Sequence, residues 1–310
     1  MKKILLATSA MVLAAGAASA EVALSGSARM GLVYDETEGT NGETFFSSRV
    51  RIVFTASGET DTGLSFGASM RADQEAGNDA GNGSPGDGNG DSTVFISGAF
   101  GKLTMGDVSG AADALVGQVS GVGYGPNDAL QEIGFIGTDK TAAYYEYSAG
   151  ALTFGLGVGQ TYSATGNADT NDAANIGVKY ATDAYSVALA FETNDVAEMI
   201  SLGGSATFGA ATVKARVSDI DVATADTVWA LSVDYAMGAT TLTAFYTDFG
   251  NTNPGAITSA PAVGADTQHI GIGAAYDLGG GASVAGGIVQ QKNAAGTDPM
   301  FADLGLKFSF

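Results

Sequence analysis

From residue 22 onward, apolar and polar positions alternate with a period of two, as in extended strands that have one oily face. Val22, Leu24, Ala28, Met30 and Leu32 alternate with Ser25, Ser27 and Arg29. Phe46, Val50, Ile52 and Phe54 alternate with Ser47, Arg49, Arg51 and Thr55, and Leu64, Phe66, Ala68 and Met70 with Ser65, Ser69 and Arg71. The same pattern recurs around Leu152–Val158, Tyr185–Phe191, Trp229–Tyr235 and Ile270–Tyr276, and in the final run that ends at Phe308 and Phe310.

The breaks between these runs fall into two classes that alternate along the chain. Short ones, such as 58–63, 149–151, 209–210 and 279–281, are hairpin turns. Longer polar ones lie near 35–43, 74–91, 109–139, 163–174, 194–197, 219–226, 250–266 and 293–298. Seven short turns and eight long loops imply sixteen strands in an up-and-down meander, with all tight turns at one end. The second face of the strands is mostly Ser, Thr, Gly, Ala and charge, whereas a soluble fold of this size would usually carry larger apolar residues on both sides of some strands. An all-β, 16-stranded antiparallel transmembrane β-barrel accounts for both faces. Lipid demands a closed sheet, and sixteen strands leave an aqueous bore where eight would leave a filled one.

Composition narrows the class further. The net charge of −20 and the absence of a basic stripe argue against nucleic acid. The lack of cysteine excludes disulfides and thiolate chemistry. The segment MKKILLATSAMVLAAGAASA reads as a secretory signal peptide over 1–20, with an A-x-A cleavage site, leaving the barrel domain at 21–310. Beyond it no run of some 18 apolar residues could form a spanning helix.

In this frame Arg29, Arg49, Arg51 and Arg71 face the lumen. Counted from the short-turn end, at ~3.3 Å per residue and a tilt near ~45°, all four stand at about mid-barrel. Such a cluster needs a counter-charge. The loop over 109–139 is far longer than a hairpin connection and holds apolar residues enough to pack, together with Asp113, Asp128, Glu132 and Asp139. It is expected to fold into the barrel and narrow it, with carboxylates facing the arginines. Cross-strand ion pairing on the wall and a surface flap at the mouth are the alternatives.

Other signals carry less. GDGNGD at 86–91 is one half-motif of a calcium repeat that needs tandem copies, and a flexible external loop explains it better. His269 is the sole histidine, on the lumen side near a mouth, and cannot make a multi-histidine metal site. It is the one candidate for the Ser–His pair of an outer-membrane phospholipase, but no G-x-S-x-G accompanies it and that reading is not favoured. Gly155, Gly157 and Gly159 precede no helix and are strand glycines. Trp229, Tyr145, Tyr147, Tyr185, Tyr235 and Tyr276 fit an outward aromatic belt.

The stretches EVALSGSARMGLVY, FSSRVRIVFTASGETDTGLSFGASMRA, TVFISGAFGKLTMGD, YDLGGGASVAGGI and the ending LGLKFSF resemble the general diffusion porins of alphaproteobacteria. The resemblance implies short periplasmic turns, long external loops, an inward-folded third loop opposite a wall arginine cluster, and a homotrimer. It also implies a C-terminal aromatic assembly signal at Phe308 and Phe310, read by the barrel-assembly machinery. The expected setting is the outer membrane, with bilayer and lipopolysaccharide as neighbours. Some members bind calcium at loop carboxylates; the acidic loops admit calcium, but the residues assign it no ligands, and no cofactor is expected. The expected function is passive diffusion of ions and small hydrophilic solutes, with mild cation preference and no reaction. Two alternatives stay open: a substrate-selective channel for a sugar or organic anion, and an exported soluble β-repeat surface protein.

Overall fold

A computed structural model describes residues 21–39, 42–76, 92–125, 127, 130–136, 142–159, 172–194, 197–222, 225–252, 263–293, 296 and 298–310. The signal-peptide segment 1–20, the GDGNGD motif, Asp128 and Asp139 lie outside the described residues. The strands are β1 Glu21–Asp35, β2 Glu43–Glu59, β3 Ser65–Ala76, β4 Ser92–Gly98, β5 Gly101–Gly106, β6 Ala142–Ala149, β7 Leu152–Gly159 and β8 Ala173–Ala181. They continue as β9 Tyr185–Thr193, β10 Glu198–Phe208, β11 Ala211–Ile220, β12 Val228–Met237, β13 Thr240–Thr252, β14 Val263–Gly279, β15 Ala282–Asn293 and β16 Met300–Ser309. One short helix, α1 (Ala111–Leu115), stands in the third loop.

Each strand pairs antiparallel with its sequence neighbours, and β1 pairs with β16, closing a sixteen-stranded barrel. The seam is tight to the C-terminus: the Gly26 N–H donates to the Phe310 carbonyl at 2.7 Å and the Phe310 N–H returns to Gly26 at 3.0 Å. Closure gives the sheet no edge, so backbone polar groups are paired within it even in hydrocarbon.

The alternation read from the sequence is realised as outside and inside. Met30, Leu32, Phe46, Phe54, Met70, Phe154, Leu156, Leu189, Ile272 and Leu304 are all exposed on the outer face. The buried positions of the same strands point to the bore: Arg29, Ser47, Asn175, Glu192, Ser218, Ser232, Thr247 and Asp303. Outward Trp229 packs on Tyr246 at 5.0 Å between ring centroids, and Tyr180 on Tyr185 at 6.0 Å.

Glycine matters at two kinds of junction. Gly209 sits at φ +61° in the two-residue turn between β10 and β11, a left-handed conformation in which a Cβ is strained. Gly106, at φ +118°, ends β5 where the third loop leaves the wall. A Cβ there would stand 2.2 Å from the Ser92 carbonyl oxygen.

Candidate functional site: the bore and its inward loop

The third loop turns inward and runs around the inner wall in two passes. In the outbound pass α1 packs on β7, β8 and β9. The chain then passes β12, where the Ser120 N–H donates to Ser232 Oγ (2.9 Å) and Ser120 Oγ donates to Asp234 (2.5 Å). It reaches β16 and β2, where the Tyr124 N–H donates to the Asp303 carboxylate (3.2 Å) and the Tyr124 hydroxyl to the Ser47 carbonyl (3.4 Å). The return pass is held by His269 Nδ1, 2.6 Å from the Leu130 carbonyl, and by Thr247 Oγ1 donating to the Gln131 carbonyl at 3.0 Å. Ile133 then buries with Val119, Val228, Ala230 and Phe249, and Ile136 with Ala197, Met199 and Ile220.

The two passes are tied to each other and to β11. Gln118 donates to the Ile133 carbonyl (2.7 Å) and accepts from the Ile133 N–H (3.1 Å). Arg216, buried on β11, donates to Gln118 Oε1 (3.0 Å) and to the carbonyls of Ile133 (2.7 Å) and Gly134 (3.0 Å). Its guanidinium also lies 3.9 Å from the Phe135 ring centroid. At the start of α1, the Ala111 N–H donates to Asn175 Oδ1 at 2.6 Å. Buried backbone polar groups need partners, and this wall supplies them one strand at a time.

Wall glycines make the seats. A Cβ at Gly155 or at Gly177 would lie 3.0 Å from Leu115 Cδ1, and one at Gly203 2.7 Å from Val116 Cγ1. One at Gly287 would lie 2.8 Å from both Val122 Cγ2 and the Gly123 nitrogen, and one at Gly305 2.7 Å from the Tyr124 ring. The inward glycines of β7, β8, β10, β15 and β16 thus let the loop lie flat on the sheet.

The loop covers the wall from β7 round to β16 and β1, and the arginines stand where it ends. Arg29 and Arg49 face each other in the β1–β2 register, and Lys307 of β16 is opposite Arg29 on the other side, so one level holds three cations. Arg51 is one inward position lower, and Arg71, opposite Val53, one lower again. Asp73 is shared: Arg51 Nε and Nη2 donate to it at 3.1 Å, and Arg71 Nε lies 3.1 Å from its Oδ2. The direct partner of two arginines is therefore a wall carboxylate. Arg29 packs under the loop: a Cβ on Gly125 would stand 2.1 Å from its Nη1.

Among the described residues, the loop carboxylates Asp113 and Glu132 lie across the barrel. Asp113, in α1, is close enough to Glu192 of β9 and Arg216 of β11 for its charge to act on both, and exposed Glu132 acts on Arg216. β2 and β10 are eight strands apart in a ring of sixteen, so basic wall and acidic loop stand on opposite sides. A bore with a polar lining, a loop clamped to its inner wall and fixed charges of opposite sign on two sides can pass water and ions and bias their choice.

Residues 7–296 match the family described as Gram-negative porin. The chain belongs to this family. A porin of Rhodobacter capsulatus is 37% identical over 94% of this chain and all of its own length, and a porin of Fuscovulum blasticum 29% identical over 69% and 90%. Among solved structures, a porin refined at 1.8 Å is 33% identical, covers 94% of this chain and all of its own, and superposes with a TM-score of 0.71. A substituted variant of the Rh. blastica porin is 25% identical and superposes with a TM-score of 0.74 over 93% of this chain and all of its own. This porin is accordingly a general diffusion channel of the outer membrane, water-filled and without catalysis.

Several of the porin's loop-holding residues give only a weak sequence signal. Arg216 could have been found, because it stands in the inward parity of Lys214 and Ser218. Asp303, Asn175 and Asp73 carry that parity too, but nothing in their neighbourhood marks one inward polar residue over another. His269, which the alternation put in the lumen, is a loop anchor whose Nε2 lies 3.3 Å from the Gln291 side chain. Among the described residues, no group of three or more His, Asp or Glu converges as a metal site.

Proposed function

We propose that the narrow zone of this porin lies between the wall cations Arg29, Arg49, Arg51 and Arg71 and the loop carboxylates Asp113 and Glu132, with Asp128 and Asp139 in the same loop. We further propose that the pore mildly prefers cations. The observation that carries the reading is the loop's one-sided docking: among the described residues its contacts run along the wall from β7 to β1 and reach β2 at Ser47, above Arg49 and Arg51. Charges fixed on the two sides of a water-filled constriction act on a passing ion within about a Debye length, ~8–10 Å near physiological salt. The acid excess of the chain, at −20, draws cations toward the mouths, while the arginine cluster opposes them locally.

The assembled state is a homotrimer, inserted with lipopolysaccharide at its rim after removal of residues 1–20 and recognition of Phe308 and Phe310 by the assembly machinery. A low wall supports the trimer: β4 and β5 have 7 and 6 residues. At ~3.3 Å per residue and ~45° tilt they rise roughly 14–16 Å, short of the ~25 Å apolar band of such barrels. A neighbouring copy would cover that gap.

Replacing Arg49 and Arg51 together with glutamine tests the narrow zone. The reversal potential in a KCl gradient should shift toward potassium, with the permeability ratio up about two- to threefold for the loss of two lining charges. An unchanged ratio in channels that still insert would place the selecting charges elsewhere.

A further inference from the structure

Under the loop, on the short-turn side, lies a partly enclosed pocket of about 220 Å³, room for roughly seven waters at their liquid volume of ~30 Å³. Its roof is the outbound pass from Leu115 to Gln118, and its walls include Lys179 of β8 and Lys214 of β11. The floor between the lysines is made of small residues: Ala188 is in register with Lys179 and Gly203, and Ser205 with Ser186 and Lys214. Two long cationic side chains thus flank a shelf from which bulk has been removed.

The other groups at this pocket are already engaged. Arg216 is spent on loop carbonyls, Gln118 and Ser218. Asp234, the carboxylate diagonal to Lys214, is held by the hydroxyls of Ser120 and Thr243 at 2.5 and 2.7 Å. Among the described residues neither Lys179 nor Lys214 makes an ion pair. Ser186 and Ser205 bond to each other at 2.9 Å, which uses one of their two hydroxyl protons and leaves one for a ligand.

We propose that this pocket binds small divalent oxyanions of the sulfate or phosphate type, with Lys179 and Lys214 as its charges and the Ser186–Ser205 pair as its donor. The site rests on the loop lying inside the bore and is separate from the arginine wall, which faces it from β1–β3. Lysine suits such a site because its ammonium is a compact point charge on a flexible stem, which closes on an ion without a fixed fork geometry. In a protein with a net charge of −20, the pocket gives an anion that enters from the periplasm a place to dwell beneath the narrow zone.

The test is a titration of single-channel KCl current with sulfate, whose charge does not change near neutral pH, added to the short-turn side of reconstituted native protein. A saturable fall in current is expected, and glucose at equal concentration should not reproduce it. K179Q/K214Q should weaken the half-effective sulfate concentration about tenfold or more, a change of ~1.4 kcal/mol or above. K102Q removes an inward lysine on β5, beside Phe95 and outside the pocket, and should leave the native response intact. A response that is absent, unsaturable, equal in native and K179Q/K214Q, or equally lost in K102Q would overturn the site. Because all variants must still conduct KCl, such a result would leave the channel itself standing.

Discussion

Arg216 holds the two passes of the loop to β11, and its removal should loosen the loop without opening the barrel. R216M keeps an unbranched apolar stem, shorter than that of arginine, and deletes every donor. The Gly134 carbonyl loses its partner and the Ile133 carbonyl keeps only the Gln118 amide, at about 1 kcal/mol each, since water from the bore can partly replace the donor. The stacking on Phe135 adds about 1 kcal/mol. The sum, about 3 kcal/mol, raises the undocked population of the loop about a hundredfold. Hydrogen–deuterium exchange in detergent micelles reads this directly: peptides covering 116–136 should exchange about a hundredfold faster, while those of β1, β2 and β16 keep native protection. Glu192, fully buried within reach of the Arg216 charge, is left without that cation, so E192Q/R216M should recover part of the loss. Equal exchange in native and R216M proteins would refute the claim that this guanidinium clamps the loop.

Other outcomes follow from the same geometry. G203A should press on Val116 and cost about 1–2 kcal/mol of loop docking, and G203A/V116A should restore most of it, a coupling measurable by the same exchange. D73N removes the acid shared by Arg51 and Arg71 and should move the reversal potential toward chloride, opposite in sign to the loss of Arg49 and Arg51. At the mouth, the hydrogen bond from Lys292 (2.6 Å), helped by the Asn293 N–H, holds the Asp298 carboxyl below its ordinary value. A depressed carboxylate stabilises the fold above its ordinary pKa and loses that contribution as pH falls through the depressed one. Carboxyl NMR should therefore place the Asp298 midpoint below the ordinary carboxylate range, with K292Q moving it back up.

The strand count, the parity of each strand and the inward position of Arg29, Arg49, Arg51 and Arg71 were legible because a period of two leaves only two faces. The third loop betrayed itself by length and by apolar residues that a solvent-exposed flap would not keep. Its seat was not legible. Loop and wall meet through single residues on many strands, such as Asn175, Arg216, Thr247, His269 and Asp303, and no local pattern links them. Gly155, Gly203, Gly287 and Gly305 look like ordinary strand glycines until the side chain that fills each vacancy is known. Asp73 stands beside an acidic, glycine-rich loop whose composition does not set it apart. Asp113 and Glu132 were found as loop acids, but only the fold puts them eight strands or so from the arginines.

Central to this porin is a loop docked inside an aqueous barrel and occupying part of its cross-section. Replacing residues 111–136 with a short Gly-Ser connection and recording single channels in planar bilayers, with neutral sugars of increasing size, tests it most directly. Conductance should rise severalfold and larger sugars should enter the bore, because the barrel closes without the loop. Native conductance and native sugar exclusion in the shortened protein would contradict it.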